Sequence, residues 1–185
     1  MKGLILSGGF SKRMGQDKGA IIYHGKTQVL HNYELLTKLC SEVFISVRED
    51  QVGQEHLKDL PLLIDSVPGD GPAVGILSAF EKDPDSPWLI MACDMPLIDE
   101  ENLKLLIEQR DPTKVATCFE NTERNWPEPL FTIWEPASVI DIKKYVSMGK
   151  PCPRKILMNS NIKMILPSDQ TVLKNFNTPE DLKSL

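Results

Sequence analysis

Short apolar runs alternate with stretches of helical periodicity through the first 112 residues, and this alternation restricts the chain more than any other feature. Residues 2–6, 42–47, 62–64 and 88–93 are brief and apolar, as buried strands are. Val29, Tyr33, Leu36 and Cys40 recur at helical spacing over 28–40. A second helix runs from Pro72, which suits a first turn, to about Lys82, with Val74, Leu77, Ser78 and Glu81 in line. Asp99 reads as the N-cap of a third, with Glu100 and Glu101 where the helix dipole favours acids. Leu103, Leu106, Ile107 and Arg110 follow, and Pro112 ends it. Such alternation predicts βαβ units and an α/β fold around a mostly parallel sheet.

The second half reads differently. Residues 115–119 and 130–134 are expected strands joined by the polar, proline-containing stretch 120–129. A helix over 137–148 ends at Gly149, residues 154–158 are helical, and 162–166 form a further strand. Thr178, Pro179 and Asp181 make a capping-box-like start for a terminal helix. No linker interrupts the chain, so residues 1–185 read as one domain.

In an open α/β sheet, ligands bind beyond the carboxyl ends of the strands. The first strand opens into Ser7-Gly8-Gly9, the third ends at Asp65 and the fourth at Asp94. If these strands are parallel, all three endings share one edge. The long loop 7–17 then delivers Lys12, Arg13 and Lys18. Glycines let backbone N–H groups approach phosphate oxygens, and Arg and Lys neutralise the remaining charge. Residues 1–18 therefore read either as a polyphosphate cradle or as a surface turn with solvated charges. Asp94 is a candidate Mg²⁺ ligand beside phosphate oxygens, with an Asx turn or helix cap as its structural alternative. Asp65 has the same two readings, and Ser66 and Pro68 make it a natural turn residue.

Other classes fall away. A net charge of −5 argues against a nucleic-acid binder. Cys40, Cys93, Cys118 and Cys152 are far apart and none pairs as CxxC, so they read as reduced thiols of a cytoplasmic protein. His24, His31 and His56 do not cluster in sequence, and no hydrolytic triad can be argued from them. The apolar run after Lys2 is too short for a signal peptide or a membrane span. Gly25-Lys26-Thr27 lacks the glycine that a P-loop needs at position 20, where Ala20 stands. Gly69, Gly71 and Gly75 do not make a dinucleotide fingerprint, which disfavours an NAD-linked oxidoreductase.

The segment Leu6-Ser7-Gly8-Gly9-x-Ser11-x-Arg13-Met14-Gly15-x-Asp17-Lys18 resembles the opening motif of the MobA-type molybdenum cofactor guanylyltransferases. Asp65-Ser66 with Gly71-Pro72-x-x-Gly75-Ile76 resembles that family's middle segment, and Cys93-Asp94-Met95-Pro96 its metal-binding strand end. Glu128-Pro129-Leu130-Phe131 resembles its substrate-side strand, and Asn175-x-Asn177-Thr178-Pro179-Glu180-Asp181-Leu182 its C-terminal signature. The segments come in the family's order over nearly the whole chain. The resemblance implies a Rossmann-like three-layer α/β/α nucleotidyltransferase domain. It implies transfer of GMP from GTP to the phosphate of molybdopterin or molybdenum cofactor, with Mg²⁺ as cofactor and pyrophosphate released. Leu6, Ser7 and Gly8 would contact the nucleotide and Gly9 shape the loop. Arg13 and Lys18 would hold the phosphates, Asp65 the nucleoside and Asp94 the metal, with Asn177 on the acceptor side. Partners would be these small molecules together with molybdenum-insertion or cofactor-delivery proteins, without nucleic acid or membrane.

The chain departs from the family in carrying Ser7 for Ala, and Ser46-Val47-Arg48 where an Asn is usual. The related cytidylyltransferase on the same cofactor, or another small-molecule nucleotidyltransferase, is the rival enzyme reading; by resemblance, Ser7-Gly8-Gly9 favours guanine. A nucleotide-binding adaptor is the non-enzymatic alternative, and retention of Arg13, Lys18 and Asp94 together speaks against it.

Overall fold

Consecutive apolar residues in the first strand have to be covered on both faces, and that requirement builds the layers. In the computed structural model, which describes residues 1–7, 10–11, 16–177 and 181, β1 (Lys2–Leu6) sends Leu4 to one core and Ile5 to the other. Strands β2 (Val43–Val47), β3 (Leu62–Ile64) and β4 (Trp88–Ala92) follow in the chain. Then come β5 (Ala116–Asn121), β6 (Trp126–Trp134) and β7 (Ile162–Ile165). They form a seven-stranded sheet in the order β7-β5-β6-β4-β1-β2-β3. Strand β1 pairs in parallel with β2 and β4, β2 with β3, and β7 with β5; β6 runs antiparallel to β4 and β5.

Helices α1 (Gln28–Thr37) and α3 (Glu100–Glu108) cover one face, packing Val29, Leu36, Leu103 and Leu106 on Ile5, Ile45, Leu89 and Met91. Helices α2 (Pro72–Lys82), α4 (Val139–Ser147) and α5 (Pro153–Met158) cover the other, around Leu4, Trp88, Ile90 and Trp134. The result is the expected α/β arrangement of a mostly parallel sheet between helical layers. Asp99 caps α3 as anticipated, accepting from Asn102 N at 2.8 Å. No helix among the described residues is long and apolar enough to cross a membrane.

Three expectations need revision. The stretch 120–129, read as a connection, is largely strand: β5 and β6 form a hairpin with its turn over 122–125. Its prolines are tolerated because the β5–β6 register shifts between Pro127 and Thr132, where the ladder needs fewer N–H donors. The helix expected over 137–148 begins as a 3₁₀ turn, Pro136–Ser138, before α4, and Gly149 follows with φ +67°. His24 and His31, separate in sequence, stack with ring centroids 4.7 Å apart, because the ribbon Ile22–Tyr23/Lys26–Thr27 leads directly into α1. Burial and the neighbouring His24 both hold the His31 pKa below its ordinary value.

Candidate active site

The carboxyl ends of β1, β2, β3 and β4 open into one cleft, a cavity of about 430 Å³. Leu6 and Ser7 line it from β1, Ser46 and Arg48 from β2, Asp65 from β3, and Ala92 to Asp94 from β4. Lys18 and the turn Gly69–Pro72 complete the wall. The shared edge anticipated from the three strand endings is therefore realised: Ser7, Asp65 and Asp94 all reach the same cavity. Gly8, Gly9 and Arg13 lie outside the described residues.

Lys18 is delivered by a 3₁₀ turn, Lys18–Ala20, whose first free N–H is taken by the residue before it. Asp17 Oδ1 accepts from Gly19 N at 2.9 Å. The buried Gln51 then ties this turn to the end of β1, donating from Nε2 to Asp17 Oδ2 (2.5 Å) and to the Ser7 carbonyl (3.2 Å). Gly19 is required by close approach, since a Cβ there would come within 2.4 Å of Ser7 Oγ.

Held this way, Lys18 Nζ donates to Asp94 Oδ2 at 2.9 Å and to Asn177 Oδ1 at 2.7 Å. Asn177 reaches this point because the preceding residue is clamped twice. Phe176 N donates to the Asp94 carbonyl at 2.7 Å, and its ring packs edge-on against Tyr23 with centroids 6.2 Å apart, beside Ile21 and Leu97. Burial, aided by the Asp94 and Asp181 charges, pushes the Tyr23 phenol up to about 12, so it stays neutral. Asn177 N in turn donates to Asp181 Oδ2 at 2.8 Å.

Across the cleft, Ser46 Oγ donates to Asp65 Oδ1 at 2.8 Å. Burial raises the Asp65 pKa, while the Ser46 bond and the Arg48 charge act against that rise. Arg48 is engaged with Asp50, its Nε 2.9 Å from Oδ1. Helix α2 comes unusually near this corner because residue 75 is glycine: a Cβ there would lie 2.3 Å from Ser46 Oγ and 2.9 Å from Leu6 Cδ2.

One buried polar atom in the cleft, Asp94 Oδ1, has no hydrogen-bond partner among the described residues, whereas Ser7 Oγ sits beside the buried Cys93 thiol. Leaving such an atom unsatisfied costs about 1–3 kcal/mol, so Asp94 Oδ1 is poised to meet a ligand atom. No cluster of three or more His, Cys, Asp or Glu forms a metal cage among the described residues. Mg²⁺ does not need one, because it takes one or two carboxylates and fills its shell with water and phosphate oxygens. The free Asp94 Oδ1 fits that mode of binding.

Sequence reasoning missed the supports of the site. Asp17 had a legible signal, since an aspartate two residues before a glycine commonly forms an Asx turn. Gln51 and Phe176 had none, because their partners are brought to them by the sheet; Ser46 showed only as a departure from the family's usual Asn. Gln28 and Asn32 belong with these: Gln28 Nε2 donates to Asn32 Oδ1 at 2.7 Å. Asn32 Nδ2 donates to the Ala92 carbonyl at 3.3 Å, fastening α1 to the end of β4.

The sequence pattern of the MobA-like NTP transferase domain matches residues 3–161. A molybdenum cofactor biosynthesis bifunctional protein of Synechocystis sp. is 39% identical over 179 residues, which make up 97% of this chain and 52% of that protein. The chain thus spans about half the length of that relative. A probable molybdenum cofactor guanylyltransferase of Synechococcus elongatus is 29% identical over 188 residues, with 98% of this chain and 96% of that protein covered. The crystal structure of molybdopterin-guanine dinucleotide biosynthesis protein A from Archaeoglobus fulgidus superposes with a TM-score of 0.83 at 21% identity, covering 100% of this chain and 96% of that one. At that identity the likeness speaks for a shared fold.

Proposed function

The chain belongs to the MobA-like NTP transferase family, and from that premise we propose that it transfers GMP from GTP to the terminal phosphate of a molybdopterin-type cofactor, releasing pyrophosphate. The observation that carries this reading is the Lys18 ammonium held between Asp94 and Asn177 at the mouth of a cleft formed by parallel strand ends. Relatives named as molybdenum cofactor guanylyltransferases supply the choice of nucleotide and acceptor.

In this mechanism Leu6, Ser7 and Gly8 contact the nucleotide, and Gly9 shapes the loop around it. Asp65, oriented by Ser46, accepts from donor groups of the nucleoside. Arg13 and Lys18 hold the phosphates, and Lys18 follows the negative charge that builds on the α-phosphate as the two anions meet. Asp94, through Oδ1, would hold Mg²⁺, with Asn177 beside it on the acceptor side. When bound there, the ion would supply positive charge that screens the phosphates from one another and stabilises the transition state. The acceptor phosphate is already ionised near neutral pH, so attack on the α-phosphorus needs no general base. Positioning and electrostatics then supply most of the rate, consistent with the lack of a histidine among the cleft-lining residues.

The test is a transfer assay offering each labelled nucleoside triphosphate with the molybdenum cofactor and Mg²⁺. GMP transfer with pyrophosphate release is expected with GTP. Turnover with CTP but not GTP would replace the guanylyl assignment with the cytidylyl one. Nucleotide binding without any transfer would favour an adaptor.

A further inference from the structure

The turn that carries Lys18 is held from behind by residues outside the cleft lining. After β2 the chain makes two 3₁₀ turns, Glu49–Gln51 and Glu55–Leu57. Gln51 is fixed at both ends of its amide: Oε1 accepts from Arg48 N at 3.0 Å, and Nε2 donates to Asp17 and to the Ser7 carbonyl. Leu57 is buried in the same core as Val29 and Leu36 of α1, which seats the second turn. His56, one residue earlier, then stands with Nε2 3.8 Å from Asp17 Oδ1, both side chains being largely shielded from solvent.

That separation is longer than a hydrogen bond, and His56 Nε2 is buried with no hydrogen-bond partner among the described residues. Leaving it so costs about 1–3 kcal/mol, and a shift of about 1 Å onto the carboxylate would remove the cost. Asp17 can take the bond. Among the described residues it accepts from Gly19 N and Gln51 Nε2, and a carboxylate has about four acceptor sites. In the free protein the Lys18 ammonium is committed to Asp94 and Asn177. Phosphates drawn into the cleft compete for it, and the turn delivers it to them accurately only if Asp17 stays in place. Hydrogen bonds that serve catalysis are often long in a free enzyme and tighten once substrate is bound.

We propose that His56 is a positioning residue for nucleotidyl transfer: with nucleotide bound, its Nε2–H closes onto Asp17 Oδ1 and fixes the turn that aims Lys18. This deepens the transferase reading and rests on it. The role is exerted through Asp17, since neither His56 nor Asp17 lines the cavity.

Steady-state transfer from GTP to molybdopterin, alongside titration of GTP binding, tests this. His56→Phe keeps the ring volume and removes the donor. Its kcat should fall about tenfold, with GTP affinity within about twofold of wild type, because a misaimed cation is felt mainly in the chemical step. His56→Gln returns an amide N–H near the place of Nε2 and should recover most of the loss. In an Asp17→Asn background, His56→Phe should add less than about twofold, as expected of residues acting in one network. A histidine that only fills space would lower the melting temperature and leave kcat at the wild-type value in both single variants. That result, or an undiminished further loss of kcat in the Asp17→Asn background, would overturn the assignment.

A second readout needs no turnover. In NMR spectra of the imidazole N–H groups, the His56 Nε2–H should shift downfield and exchange more slowly when GTP is added, and should not do so in Asp17→Asn. An Nε2–H resonance indifferent to GTP in the wild type counts against the closure. Wild-type protein that shows the shift but transfers no nucleotide would instead fail the transferase reading.

Discussion

Lys18 and Asp94, 76 positions apart in the chain, meet at 2.9 Å, and Asn177 joins them from the far terminus at 2.7 Å. The ammonium and Asp94 Oδ2 are partly shielded, while Asp94 Oδ1 is left without a partner among the described residues. One face of the carboxylate is thus committed to orienting Lys18, and the other is available to a cation brought with the nucleotide.

Removing either partner should separate binding from chemistry. Asp94→Ala should retain part of GTP binding, since Leu6, Ser7 and Asp65 remain. Mg²⁺-dependent transfer should fall by roughly 10²–10³-fold, the range seen when one preorganised charge stabiliser is lost. Lys18→Met should give a comparable loss in kcat and a weaker response to added pyrophosphate. Titrating Mg²⁺ against rate in each variant checks the division of labour. Turnover of Asp94→Ala at the wild-type level would remove Asp94 from the metal role.

The corner between β1, β2 and α2 makes a second prediction. Gly75→Ala places a methyl group 2.3 Å from Ser46 Oγ and 2.9 Å from Leu6 Cδ2, so either the helix retreats or Ser46 rotates away. Rotation breaks the bond that orients Asp65. GTP affinity should therefore fall together with thermal stability, by about 1–3 kcal/mol for an overpacked core site. Ser46→Ala should lower affinity with little change in melting temperature. The pair of variants distinguishes loss of the hydrogen bond from the clash.

The sheet and the three polar strand endings were legible because each rests on local information. A buried parallel strand must be apolar throughout, and its last residue must be able to leave the sheet. Leu4 to Ser7, Leu62 to Asp65 and Trp88 to Asp94 satisfy both conditions within a few positions. The supports of the site were not legible, because they are long-range. Gln51 matters only because the sheet sets it beside Ser7 and Asp17, and Phe176 only because the C-terminal segment returns to Asp94, just past the end of β4. The β5–β6 hairpin was misjudged for a local reason: Pro127 and Pro129 read as breakers, whereas a register shift absorbs them.

Phe176 is the clamp that keeps Asn177 in the site. Its ring is nearly fully buried against Tyr23, so Phe176→Ala should destabilise the protein by about 3–5 kcal/mol if the cavity does not collapse. Phe176→Leu retains most of the volume and should cost less. In both, transfer should decline more steeply than GTP binding, because the displaced group is Asn177 and not the nucleoside contacts. Calorimetric unfolding alongside the transfer assay checks the two effects separately.

Glu128 gives the chain a pH-dependent stability with a definite sign. Burial pushes its carboxyl up to about 7; the Leu130 N–H that donates to Oε1 opposes this, the Asp94 charge adds to it, and the Arg124 and Arg154 charges oppose it. In the unfolded chain the same group titrates near its ordinary 4.5. Between these two values the folded protein holds a proton that the unfolded chain has released, so stability falls as pH rises through the window. Below about 4.5 this contribution is fully present, and above about 7 it is lost. The difference amounts to about 3 kcal/mol at most. Glu128→Gln keeps the oxygen that accepts from Leu130 and removes the ionisation. Its melting temperature relative to wild type should therefore climb between pH 5 and pH 8, by several degrees for a chain of this size. A wild-type minus Glu128→Gln difference that stays flat across that range would show that Glu128 titrates near its ordinary value in the folded protein.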